Sequence, residues 1–195
     1  MPRISADSVA EHVAQQQQAV FDAAIELFVE RGYGAVTLGD IAAKVGLARN
    51  SLYRYYPDKA AILVEWFRVE LPLQAERSST LLAGDEPPAE RIVRWAEAQI
   101  DYARLPEHAL IVALGEATPG LAPDVLAELG ASHDELVAPF VAVLREAGLA
   151  DGSLDAARDL VWGLVVAQAQ RELRVGDDPA GRRHLAAAVH AIAAP

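Results

Sequence analysis

The segment from Thr37 to Lys59 reads TLGDIAAKVGLARNSLYRYYPDK, and few folds accommodate it. Leu38, Ile41, Ala42 and Val45 fall at i, i+3, i+4 and i+7, which predicts a short amphipathic helix. Thr37 opens that helix as an N-cap, and Asp40 three residues later completes a capping-box pattern. Gly39 inside it costs about 1 kcal/mol relative to alanine. Gly46 then permits a sharp turn, and a second short helix is predicted over residues 48–56 with Leu52 and Tyr56 on its apolar side. The rest of its surface presents Arg49, Asn50, Tyr53 and Arg54. Two short helices joined by a glycine turn, one of them with a basic and amide-bearing face, suit a helix that lies in the major groove of DNA while its neighbour holds it there.

The side chains on that face fit the chemistry of a duplex. A guanidinium grips guanine O6 and N7 with two hydrogen bonds, and an asparagine amide pairs with adenine. Arg49 and Asn50 are therefore assigned to base reading, and Arg54 to either bases or phosphates. Hydroxyls and ammonium groups hold phosphate oxygens and set the register, which assigns Thr37, Tyr53, Tyr55 and Lys59 to the backbone. The overall charge of -11 looks unsuited to such a partner, but its distribution matters more. Residues 1–60 carry 6 Lys and Arg against 7 Asp and Glu, leaving 11 against 21 for residues 61–195. The acidity belongs to the C-terminal two-thirds, and phosphate attraction acts only within a Debye length of ~8 Å.

Upstream, residues 1–9 are polar and mixed and are expected to form a flexible arm. A helix is predicted over residues 10–31, its stripe formed by Val20, Ala24, Leu27 and Phe28, and Gly32 ends it. Downstream, Pro57-Asp58-Lys59 opens another helix, AAILVEWFRVEL, rather than the β-hairpin of a winged helix.

These residues carry a family resemblance. The stretch AAIELFVERGYGAVTLGDIAAKVGLARNSLYRYYPDKAAIL resembles the N-terminal DNA-binding domain of the TetR (tetracycline repressor) family of bacterial regulators. Phe28, Gly32, Tyr33, Thr37, Ile41, Ala42, Gly46, Leu52, Tyr53, Tyr56 and Lys59 stand at the characteristic places. The resemblance runs from about residue 20 to residue 66 and implies that Thr37 and Lys59 contact phosphates and that Tyr53 is a central anchor. It also implies that the fourth helix carries a ligand signal from body to head. Asn50 and Gly39 depart from the family pattern, which bears on operator sequence and groove fit.

The remainder reads as helices separated by proline and glycine. They are expected over residues 89–105 and 124–147, from a Ser153 cap over 154–174, and over 179–193, with a short segment at 106–116. The fold class expected is all-α, with about nine helices: a three-helix helix-turn-helix domain over residues 10–57 and a helical ligand-binding and dimerisation domain over 58–195. Leu160 to Val166 leave the 154–174 helix little polar face, and a helix apolar nearly all round needs burial on more than one side. A homodimer interface is therefore expected from Leu160, Val161, Leu164, Val165 and Gln168 with Leu185, Val189 and Ile192 of the last helix.

A ligand pocket follows only from the resemblance, with Trp95, Tyr102, Phe140 and Trp162 as its candidate lining and a small, largely apolar effector as its occupant. No cysteine is present, and neither His108 nor His133-Asp134-Glu135 has metal-ligand spacing. No catalytic motif appears, so neither enzyme activity, metal nor cofactor is expected. The longest apolar run is far short of the ~20 residues that span a bilayer, and a cytoplasmic protein is expected. The reading is a ligand-responsive regulator, a repressor that binds a palindromic operator as a dimer. The competing class is a helical small-molecule-binding or signalling protein without DNA binding, against which Arg49, Tyr53 and Lys59 argue.

Overall fold

A computed structural model of the chain describes residues 6–194, with side chains from Glu11 onward except at Val112 and Gly115. Among these residues there are nine α-helices, three short 3-10 turns and no strand. The helices are α1 (Ala6–Arg31), α2 (Leu38–Lys44), α3 (Arg49–Leu52), α4 (Lys59–Leu82), α5 (Pro88–Ala103), α6 (Ala109–Ala117), α7 (Pro123–Glu146), α8 (Asp151–Val175) and α9 (Pro179–Ile192). The 3-10 turns are Tyr33–Ala35, Pro106–His108 and Thr118–Gly120.

The chain divides into two compact units. One runs up to Arg68 and includes Ala109–Leu126; the other comprises Val69–His108 and the chain from Ala127 onward. The expected boundary between residues 57 and 58 falls earlier in the chain than the division within α4. The reason is tertiary: α6 packs against α1 and against the Tyr33–Ala35 turn, and a contact between segments ~80 residues apart leaves no local sequence signal.

In the first unit, Val20, Ala24, Leu27 and Phe28 of α1 are buried, as are Ile41, Ala42, Leu52, Ile62, Leu63 and Leu110. Each large aliphatic or aromatic side chain so covered contributes roughly 1.5–3 kcal/mol relative to exposure. Gly32 (φ 81°) ends α1, its N–H donating to the Phe28 carbonyl at 3.0 Å. Gly46 (φ 71°) ends α2: its N–H reaches the Ala43 carbonyl and the N–H of Leu47 the Ala42 carbonyl at 2.8 Å. That pair of bonds closes a helix through a left-handed residue, a conformation open to glycine at little steric cost.

In the second unit, α5 packs against α8 and α9, and α8 against α9. Its core joins Ile92, Trp95, Ala96 and Ile100 to Phe140, Val143, Leu144, Val161, Val165, Leu185 and Val189. Arg91 is buried with one guanidinium nitrogen on the Leu82 carbonyl at 3.1 Å and another 2.6 Å from Glu146, fixing the end of α4 to α7.

Several expected boundaries move. Helix α1 starts at Ala6 rather than at residue 10, so residues 6–9 are helical; the remainder of the expected arm, residues 1–5, lies outside the described residues. Helix α3 is only Arg49–Leu52, because the following N–H groups of Arg54 and Tyr55 bond three residues back and tighten the chain into a turn. Helix α4 continues through Pro72 to Leu82, far beyond the expected segment. Ser153 is not a cap: Ala150 is, and α8 begins at Asp151.

Candidate nucleic-acid interface

Thr37 starts α2 as expected. Its hydroxyl oxygen accepts from the Asp40 N–H at 3.2 Å, and its own N–H donates to the Asp40 carboxylate at 2.8 Å. The Thr37 hydroxyl also donates to that carboxylate. These bonds hold Asp40 below its ordinary carboxylate range. Thr37 is exposed, yet both of its donors are already turned toward Asp40, so its primary work is to start the helix.

Past the Gly46 turn, Arg49, Asn50, Tyr53 and Arg54 all lie exposed, Tyr53 at 47%. Among the described residues none of these four side chains has a hydrogen-bond or ion-pair partner. Tyr55 is half-buried beside them. Behind them Leu52 and Tyr56 are buried, and burial pushes the Tyr56 hydroxyl well above its ordinary value. The expected alternation of reading face and packing face is thus present, although the regular helix under it is one turn long. Lys59 is placed differently from expectation. It is half-buried, and its ammonium donates to the carbonyl oxygens of Tyr33 at 2.6 Å and Val36 at 3.1 Å.

The expected ligand-lining residues fall into two sets. Trp95 and Phe140 are stacked on each other, 4.6 Å between centroids, within the core, and Trp95 donates its N–H to Ser78 at 3.2 Å. Trp162 lies 6.1 Å from Trp95 and is half exposed. Tyr102 sits elsewhere on α5, its hydroxyl donating to Glu70 at 3.2 Å and its ring meeting that of His108. Burial, with the Glu70 carboxylate second, raises the Tyr102 hydroxyl; burial lowers His108. Sequence reasoning passed over the partners on α4. Glu70, Gln74 and Ser78 recur every fourth residue and form a polar ladder that faces α5, and Gln74 and Ser78 are buried. The spacing was the available signal. Two open grooves, of about 380 and 280 Å³, lie instead near Leu149, Leu160 and Ile192 and near Arg104, Asp177 and Arg182, and none of the four aromatic residues lines either.

The expected dimer residues also separate. Val161, Val165, Gln168, Leu185 and Val189 are buried within their own chain and are not free to meet a second copy. Leu160 is 60% exposed, and Leu164 and Ile192 are half-buried. The correction comes from α5, which covers one side of α8 and α9. Trp162, Val166, Leu173 and Val175 are the further apolar side chains that α8 leaves exposed.

No helix among the described residues is long and apolar enough to cross a membrane. Residues 20–66 match the family model of bacterial regulatory proteins of the tetR family, which spans α1 from Val20 through the first part of α4. Residues 20–66 are thus a TetR-family segment. A proposed mycofactocin biosynthesis transcriptional regulator of Mycobacterium tuberculosis, MftR, is 49% identical over 43 residues, 22% of each chain. The nucleoid occlusion factor SlmA of Pasteurella multocida is 27% identical over 129 residues, 65% of this chain and 63% of that protein. The matched part thus covers under two-thirds of either relative. A solved TetR family transcriptional regulator of Thermus thermophilus, PfmR, shares the fold with a TM-score of 0.64 and 23% identity, over 89% of this chain and 96% of that one. The matched segment is a DNA-binding helix-turn-helix domain, and Arg49, Asn50, Tyr53 and Arg54 are among its exposed polar groups.

Proposed function

We propose that this chain is a TetR-family, ligand-responsive transcriptional repressor that acts in the cytoplasm, binding a palindromic operator as a homodimer. The observation that supports it most strongly is the recognition surface. Arg49, Asn50, Tyr53 and Arg54 are exposed and without partners among the described residues, whereas Arg91, Arg94, Arg104 and Arg182 engage carboxylates. Two guanidinium groups, an amide and a phenol left free on one short helix and the turn that follows it match what base edges and phosphates accept.

One such helix reads few base pairs, and two of them one DNA turn apart (~34–36 Å) read a palindrome. The exposed Leu160, Val166 and Leu173 of α8 support pairing through that helix. The effector is a small, largely apolar molecule held near Trp95, Phe140 and Trp162, with Tyr102 toward the polar ladder. Helix α4 runs unbroken from Lys59 to Leu82, so a ligand that tilts it moves the recognition helix away from the operator geometry. A shift of this kind needs only a few kcal/mol of differential affinity between the two states.

Selection of bound duplexes from a random library at several salt concentrations tests the reading. Enrichment of a palindrome, with a complex of two chains per site in sedimentation, is the expected result. Retention of every duplex alike sinks the operator reading, and retention of none leaves the binder without DNA affinity as the better account.

A further inference from the structure

Helix α4 carries a proline in its interior, Pro72. A proline has no N–H to donate one turn back, and its ring presses against the carbonyl of that turn, so a helix bends most readily there. Two further observations fall on the same stretch. No residue from Arg68 to Leu73 is buried, whereas Trp66 and Phe67 before it and Gln74, Ser78 and Leu82 after it are. The division between the two compact units also lies there, between Arg68 and Val69. Both ends of the helix, by contrast, are held. At its start the Asp58 carboxylate accepts from the Ala61 N–H at 2.8 Å. At its finish two arginines of α5 take the last carbonyls: Arg94 donates to those of Leu81 and Ala83, each at 2.9 Å, and Arg91 to that of Leu82 at 3.1 Å. Arg91 also ties this end to Glu146 of α7 at 2.6 Å.

We propose that Pro72 is a hinge: the part of α4 that ends at Leu82 stays fixed to α5 and α7, and the part that begins at Lys59 swings about the stretch from Arg68 to Leu73. This names how the ligand response above is carried and rests on that reading, but the hinge itself is a property of the free protein. Bending concentrates where it disrupts least. The helix ladder already lacks one rung at Pro72, and no buried side chain of the stretch has to leave a core. Swinging α4 as one rod would instead break the three arginine bonds at its end. A ligand that favours one bend over another moves the recognition segment and leaves the core of each unit as it is. The other interior helix proline among the described residues, Pro139 of α7, lies well inside the second unit and has no such consequence.

The chain has no cysteine, so Glu30→Cys, at an exposed position of α1, takes a single nitroxide label per protomer. Dipolar spectroscopy on the DNA-free homodimer then reads the spread of distances between the two heads. Pro72→Ala should narrow that spread to about half, and Pro139→Ala should leave it as it is. Native-state hydrogen exchange is the independent measure. In the unsubstituted chain the amides of Leu71, Leu73 and Gln74, relative to their intrinsic rates, exchange at least roughly tenfold faster than those of Phe67 and Ser78, and in Pro72→Ala the difference disappears. An unchanged spread in Pro72→Ala overturns the hinge, as does an equal narrowing in Pro139→Ala or uniform protection along α4 of the unsubstituted chain. If the chain is a monomer, the homodimer reading fails and the exchange measurement alone decides the hinge. A hinge that passes in a protein that selects no duplex removes the regulator reading and leaves the hinge standing.

Discussion

Two charged regions of this molecule use the same side chains to opposite ends. Around α3, Arg49 and Arg54 project into solvent with no carboxylate partner among the described residues. At the corner where α5, α8 and α9 meet, the arginines are saturated. Arg182 donates to both oxygens of Glu172, at 2.8 and 2.7 Å, and to Asp101 at 2.6 Å; Arg104 reaches Glu172 and Asp177; Arg171 reaches Asp178. Glu172 is 2% exposed and also accepts from Gln168 at 3.0 Å. Charge that is paired internally fixes helices against one another. Charge left unpaired is repelled by no neighbour, costs little in water, and is available to an outside anion. The corner therefore belongs to stability and the α3 surface to binding.

The contrast breaks most readily at its buried end. Glu172→Ala leaves Arg182 and Arg104 facing a pocket with no carboxylate at its centre, and the expected loss is about 2–4 kcal/mol in urea unfolding. An unchanged midpoint would mean that the corner holds nothing together. The pH dependence has a defined sign. Hydrogen bonds from Arg182, foremost, hold Glu172 at about 2 in the folded chain, against ~4.3 when unfolded. Its contribution is fully present above the unfolded value and disappears as pH falls toward 2, so stability should drop across roughly pH 4 to 2. In Glu172→Ala that part of the slope should be gone; an identical acid limb in both proteins assigns it to other carboxylates.

At the exposed end the expectation is reversed. Arg49→Ala should cost ~1–3 kcal/mol in DNA affinity and relax the preference at one base position, with unfolding shifted by no more than ~0.5 kcal/mol. A loss of stability equal to that of the corner variant would erase the distinction between the two regions. The smallest effect concerns the helix that supports α3. A Cβ at Gly39 would meet the Thr37 hydroxyl at 3.4 Å, an ordinary contact, and the residue does not have positive φ. Gly39→Ala should therefore stabilise by up to about 1 kcal/mol in thermal unfolding, and destabilisation would show that α2 needs the glycine for close approach.

The parts legible beforehand share a physical scale. The Thr37–Asp40 capping box, the left-handed glycines at 32 and 46 and the stripe of Val20, Ala24, Leu27 and Phe28 are all decided by residues within a turn or two of one another. What escaped was decided at longer range. Pro72 marks the end of a helix in local terms, yet α4 passes it. Ser153 is a good local cap, yet Ala150 takes that place. Val161 and Val189 read correctly as buried, but their cover is α5 of the same chain. The acceptors of Lys59 lie up to 26 residues away, and Arg182 meets Asp101 across 81.

From its order of residues alone, this chain was bound to be helical and to present Arg49, Asn50, Tyr53 and Arg54 on the outer face of one short segment after the Gly46 turn, because periodicity, caps and glycine turns act through neighbouring backbone groups. Only the folded chain decided which charges are spent internally: Lys59 on two carbonyls, Glu172 on two arginines, Arg49 and Arg54 on nothing among the described residues. Side chains of one kind differ only in what tertiary packing brings within about 3 Å, the range at which a hydrogen bond forms.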